Sequence, residues 1–142
     1  YARDNKECIH NLNYWTFGNY LGVGAGACSK ISITNGLQRR LTCYKNPNQY
    51  VNEAKKNNFY METKEILESK IVFEFMMNAL RLNQGFTKKL FEKQTKLNIK
   101  KIKKELAEAK DKKFILETSD MIIPTQFGRN FLNELLQIFM KD

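Results

Sequence analysis

The chain has 142 residues, a formal net charge of +9 and a hydrophobic content of 42%. That length holds one domain, or a small domain with an appendage, and the apolar content suffices for a core. No run of about 18 apolar residues occurs, so no membrane-spanning helix is expected, and no basic-then-apolar leader opens the chain.

The charge is unevenly spread. Residues 87–113 carry 11 lysines against 4 acidic side chains. A solvated lysine face accounts for this; contact with nucleic acid or an anionic membrane is the alternative. Arg, the usual reader of guanine, is absent from 87–113, and Glu105, Glu108 and Asp111 interrupt the lysines. Sequence-specific DNA binding is therefore not expected, only weak association that collapses as salt rises.

In chain order, residues 1–8 are a polar lead-in. His10-Asn11-Leu12-Asn13-Tyr14-Trp15 holds the only His and the only Trp. Asn11 and Asn13 favour a turn or irregular backbone there. Tyr20 to Ala27 reads as a short buried strand, with Gly22, Gly24 and Gly26 allowing close approach of another backbone or a ligand. Ile31–Thr34 and Arg40–Tyr44 alternate with period two about Asn35-Gly36, which predicts a hairpin with a type I′ turn. Pro47 marks a boundary, and 48–57 reads as a short helix closed by Asn57-Asn58.

Residues 64–82 predict the most apolar helix, through Ile71, Val72, Phe75, Met76, Ala79 and Leu80, with Gly85 as its stop. Met76 and Met77 read as core fillers. Helices over 87–95 and 98–111 follow. Phe114–Glu117 and Met121–Ile123 predict a hairpin. Thr125 then caps a last helix that buries Phe127, Phe131, Leu135, Ile138 and Phe139.

Few constellations carry chemistry. A neutral imidazole is a good axial ligand for haem iron, so His10 is a candidate metal ligand, with Tyr14 and Trp15 as an aromatic wall. The competing reading is a structural loop histidine. Cys8, Cys28 and Cys43 lie 20 and 15 residues apart, which suits neither a metal knuckle nor an iron–sulfur loop. No catalytic dyad or triad is assembled. The glycine run lacks the Lys of a phosphate loop.

His10-Asn11-Leu12-Asn13-Tyr14-Trp15, followed by Phe17-Gly18-Asn19-Tyr20-Leu21-Gly22-Val23-Gly24-Ala25-Gly26-Ala27, resembles the late part of radical-SAM proteins related to oxygen-independent coproporphyrinogen III oxidase. The pattern His-Asn-x-x-Tyr-Trp is closer to the HemW-type haem chaperones than to the oxidases. Similarity extends through Phe73–Leu82 to the last helix. The resemblance implies an α+β fold: the end of an incomplete parallel α/β barrel over 1–50, with Tyr1-Ala2 ending a barrel strand, then a mostly helical winged-helix domain over 51–142. With Tyr rather than Met at residue 1, it also implies the C-terminal part of a longer protein.

That parent would carry a [4Fe-4S] cluster and S-adenosylmethionine, bind haem and pass it to respiratory proteins. It would act in the cytoplasm, with peripheral membrane association as a further expectation. The family's Cys-x-x-x-Cys-x-x-Cys loop is absent from this chain, so no radical-SAM activity is expected of it alone. By resemblance, His10 holds haem beside Tyr14 and Trp15, and Gly22, Gly24 and Gly26 line the barrel mouth. Relatives carry His where this chain has Cys28, which makes Cys28 a second candidate ligand. The competing functions are the oxidase itself, which decarboxylates two propionates, and a winged-helix nucleic-acid-binding module.

Overall fold

The computed structural model describes residues 8–33 and 37–140. The chain forms two compact units, one from residues 1–18 with 68–142 and one from residues 19–67. The boundary expected at residue 50 falls inside a helix of the second unit. Tyr1-Ala2, expected to end a barrel strand, lies outside the described residues.

The first element is α1 (Ile9–Trp15), where a turn or irregular backbone was expected. Two asparagines do not prevent it, because the chain after it closes the helix end. The Gly18 amide donates to the Asn13 carbonyl at 2.7 Å and the Phe17 amide to the Tyr14 carbonyl at 2.9 Å. This pair of bonds is a Schellman closure. Its left-handed position is taken by Phe17, at φ 58°. A left-handed non-glycine residue costs about 1–2 kcal/mol. Phe17 offsets that by being 1% exposed, with its ring edge-on to Phe75 at 5.8 Å.

In the second unit, β1 (Cys28–Ser32) and β2 (Gln38–Cys43) form an antiparallel hairpin, registered from Cys28 opposite Thr42 to Ser32 opposite Gln38. The expected hairpin is present; its Asn35-Gly36 turn lies outside the described residues. α2 (Pro47–Ala54) follows, with Asn46 Oδ1 accepting from the Gln49 amide at 3.1 Å and Pro47 in the first turn.

β3 (Tyr60–Glu65) then pairs antiparallel with β2, giving the order β1-β2-β3. This corrects the helix start expected at residue 64. The strand is mostly exposed, so no apolar alternation marked it. Cross-strand pairing with β2 decides it instead, including the Arg39–Glu65 ion pair at 3.0 Å. No parallel strand pair occurs among the described residues.

Below α2, Glu53 accepts from Lys56 Nζ at 2.8 Å and from Asn58 Nδ2 at 3.0 Å. The hydrogen bond from Lys56, and then that from Asn58, hold the Glu53 carboxyl below its ordinary value. Its contribution to stability is present above the ordinary carboxylate range and is lost as pH falls through the lowered value.

In the first unit, α3 (Glu68–Ala79) buries Ile71, Val72, Phe75, Met76 and Ala79, as its periodicity predicts. Phe75 is its centre, fully buried. The ring meets Phe86 at 5.1 Å and Phe91 at 5.2 Å, both edge-on. Gly85 falls in the loop before the next strand rather than at the helix end. β4 (Phe86–Thr87) leads into α4 (Lys88–Thr95), capped by Thr87 Oγ1 on the Leu90 amide. A 3-10 turn over Ile99–Ile102 runs into α5 (Lys103–Asp111). β5 (Ile115–Glu117) and β6 (Met121–Pro124) form the expected hairpin, and the sheet order is β4-β6-β5.

The last helix is broken. α6 (Gln126–Asn130) and α7 (Leu132–Gln137) meet at Phe131, at φ −115° and ψ 46°. Leu135 and Phe139 are buried as expected and Leu136 joins them, but Phe127 and Phe131 are exposed. The break is the reason: it takes the α6 aromatics off the face that α7 buries. Phe127 instead stacks on Phe114, with centroids 5.4 Å apart.

Thr125 caps α6 as predicted. Its hydroxyl donates to the Lys113 carbonyl at 2.8 Å and accepts from the Gly128 amide at 2.9 Å. A Cβ on Gly128 would collide with the Phe114 carbonyl oxygen. Gly128→Ala should therefore destabilise the chain by about 1–3 kcal/mol. Thermal unfolding followed by circular dichroism checks this, and an unchanged midpoint would show that the loop at Phe114 yields freely.

Candidate functional site

α1 sets out the hexapeptide on its surface. His10 is exposed, and Tyr14 and Trp15 are half-buried. His10 and Tyr14 stand one turn apart, so their rings meet edge-on with centroids 4.7 Å apart. No hydrogen bond reaches either ring nitrogen of His10 among the described residues. That imidazole is not a core histidine, which would be buried with its nitrogens engaged.

The sequence reading missed Phe17 and Gly18, which fix where α1 stops. A Cβ on Gly18 would collide with the Asn13 side chain. Phe-Gly directly after a short amphipathic segment was the available signal.

Gly22, Gly24, Gly26 and Cys28 belong to the second unit. The buried strand expected over Tyr20–Ala27 is not formed. Tyr20 makes an isolated antiparallel bridge with Lys30, and Val23 is 87% exposed. The cause is the backbone at Gly24 and Gly26, at φ 110° and 73°, which turns the chain instead of extending it. The Ala27 amide donates to the Gly24 carbonyl at 3.2 Å, and the Gly26 amide to the Tyr44 carbonyl at 2.8 Å. Gly22 packs so closely on the backbone that a Cβ would strike the Cys28 carbonyl. Its amide donates to Ser29 Oγ at 3.0 Å. The Gly24 amide lies 3.3 Å from the Tyr50 hydroxyl, a contact no sequence signal announced.

Cys28 is exposed, with its thiol 3.9 Å from the Gly26 carbonyl. Cys8 is exposed and Cys43 is buried on β2. No group of three His, Cys, Asp or Glu side chains is placed to hold a metal among the described residues. The three cysteines are therefore not gathered as the ligands of a [4Fe-4S] cluster would be, and His10 is the one imidazole that could offer a nitrogen donor to haem. No helix among the described residues is long and apolar enough to cross a membrane.

Comparison with known proteins agrees with the motif. Residues 68–131 match the HemN C-terminal domain family. The chain is 38% identical over 141 residues to "Heme chaperone HemW" of Buchnera aphidicola subsp. Acyrthosiphon pisum, covering 99% of this chain and 36% of that protein. It is 34% identical over 143 residues to "Heme chaperone HemW" of Escherichia coli, covering 100% of this chain and 36% of that protein. The chain thus spans about a third of the length of these relatives. A solved structure, coproporphyrinogen III oxidase (HemN) from Escherichia coli, described as a radical SAM enzyme, shares the fold. Its TM-score is 0.58 at 18% identity, covering 87% of this chain and 29% of that one. Residues 68–131 thus carry the match to the HemN C-terminal domain, and over nearly its whole length the chain is similar to about a third of proteins named haem chaperone HemW.

Proposed function

We propose that this chain is the haem-handling C-terminal part of a radical-SAM-family haem chaperone, and that His10 is its iron ligand. The observation that carries the reading is the His10 imidazole, exposed on α1, with no partner to either nitrogen among the described residues and Tyr14 edge-on to it. The relatives' name, haem chaperone, supports the ligand class. Haem would supply a metal open to a nitrogen donor; the protein's part would be to present that donor and shelter the ring. His10 presents the nitrogen, Tyr14 holds the imidazole at a fixed angle, and Trp15 adds apolar surface beside it. Cys28 is a weaker second candidate, because a thiol must first lose its proton to ligate.

In the same reading, Gly22, Gly24 and Gly26 line the mouth of a barrel completed by the rest of a longer protein. That protein supplies the cluster loop and S-adenosylmethionine, and residues 51–142 contain a winged-helix domain that reads no DNA sequence. The chaperone works in the cytoplasm, at the membrane periphery, and hands haem to respiratory proteins. The oxidase reading has support from fold alone.

Haem titration followed in the Soret region, with wild type and His10→Ala compared, tests the ligand assignment. Identical spectra and affinities would make His10 structural.

A further inference from the structure

One surface of the first unit is not used by the haem reading. Along α5 and the 3-10 turn before it runs an open groove of about 520 Å³. Its apolar lining comes from Ile99, Leu106 and Ala107, and Lys100, Lys103 and Lys110 stand around it. Lys103 and Lys110 lie two helical turns apart, on one face of α5. All three lysines are exposed, and none makes an ion pair among the described residues. Neighbouring lysines do: Lys101 pairs with Glu68 and Lys112 with Glu108. At the β5 end, Lys88 and Glu117 pair at 2.7 Å, with both side chains partly buried.

We propose that this groove docks an acidic amphipathic helix of a partner protein. The carboxylates would meet Lys100, Lys103 and Lys110, and a leucine or phenylalanine would fill the apolar recess. Charge complementarity selects an acidic partner. The shape selects a side chain rather than a bilayer. Membrane-surface helices protrude large apolar side chains; here Leu106 is buried, Ile99 half-buried and Ala107 small. The chemistry disfavours nucleic acid, because no Arg lines the groove to pair a phosphate bidentately or read a guanine. A helix in a groove, anchored at i, i+3 or i+4 and i+7, is a recurrent recognition mode. The inference does not rest on the haem assignment.

The test uses the whole 142-residue chain and a fluorescein-labelled 18-residue peptide with glutamates on one face and leucines at helical spacing on the other. Anisotropy gives the affinity. A scrambled peptide of the same composition is the control. Lys103→Glu with Lys110→Glu should weaken binding at least about tenfold, since like charges then face each other. Ala107→Trp, which fills the recess without changing charge, should weaken it as well. These positions are exposed, so circular dichroism should show the fold unchanged. Equal affinity for the scrambled peptide, or no loss in either variant, would overturn the proposal. So would tighter binding of the chain to phosphatidylserine-containing vesicles or duplex DNA with the same lysine dependence, because the groove would then belong to that occupant.

Discussion

His10→Ala is expected to weaken haem binding and to change the Soret band. His10 is the only imidazole in the chain, and no partner engages its nitrogens among the described residues. Loss of a group that merely orients a metal-ligating histidine costs roughly 10–100-fold in affinity, so loss of the ligand itself should cost at least that much. Tyr14→Ala should cost less, because it removes the edge-on ring at 4.7 Å but leaves the nitrogen. Cys28→Ala should do little. The measurement is best made in a form spanning the full length of the relatives, under reducing conditions that keep the thiols from oxidising. The sign of the outcome separates two roles. A ligand changes the absorption spectrum when removed, whereas a structural histidine changes only the melting temperature. Cys28→Ala changing the Soret band while His10→Ala leaves it alone would transfer the assignment to the thiol.

Phe75→Ala is expected to be the most destabilising change in the chain. Phe75 is completely buried and touches the rings of Phe17, Phe86 and Phe91. Truncating a core phenylalanine costs about 3–5 kcal/mol, a large share of the roughly 5–15 kcal/mol that holds a typical domain folded. The loss should also reach α1. Phe17 is held in the left-handed region by its seat against Phe75, and that conformation costs about 1–2 kcal/mol by itself. Without the seat, α1 should fray and His10 should lose its fixed presentation. Phe75→Leu should be milder, because it keeps most of the volume. Urea unfolding monitored by far-ultraviolet circular dichroism measures both variants, and amide exchange at Thr16–Gly18 reads the effect on α1. A Phe75→Ala variant within 1 kcal/mol of wild type, on the order of the surface-substitution range, would show that the cluster is not the centre of this core.

Local pattern was enough wherever one stretch of chain carries its own answer. Thr125 before α6 announces a cap, and its side chain makes the expected bond. α3 is legible because Ile71, Val72, Phe75 and Met76 recur at the helical period and are buried at that period. The β5–β6 hairpin is legible from two short apolar runs flanking Thr118–Asp120. The hexapeptide is legible as a motif, though not as a helix.

Partners distant in sequence decided the rest. α1 exists because Phe17 finds a seat on Phe75, 58 residues later, which lets the Schellman closure override the turn preference of two asparagines. β3 exists because β2 offers it hydrogen bonds and Arg39 offers Glu65 a charge; its own side chains are too exposed to mark a strand. The glycine run turns where its apolar neighbours suggested a strand, because Gly24 and Gly26 take positive φ. The break at Phe131 leaves Phe127 and Phe131 exposed while Leu135 and Phe139 reach the core, although all four fit one continuous helical stripe. Helical spacing fixes which residues share a face only while the helix stays unbroken. Where it breaks, as at Phe131, the one-dimensional pattern does not say.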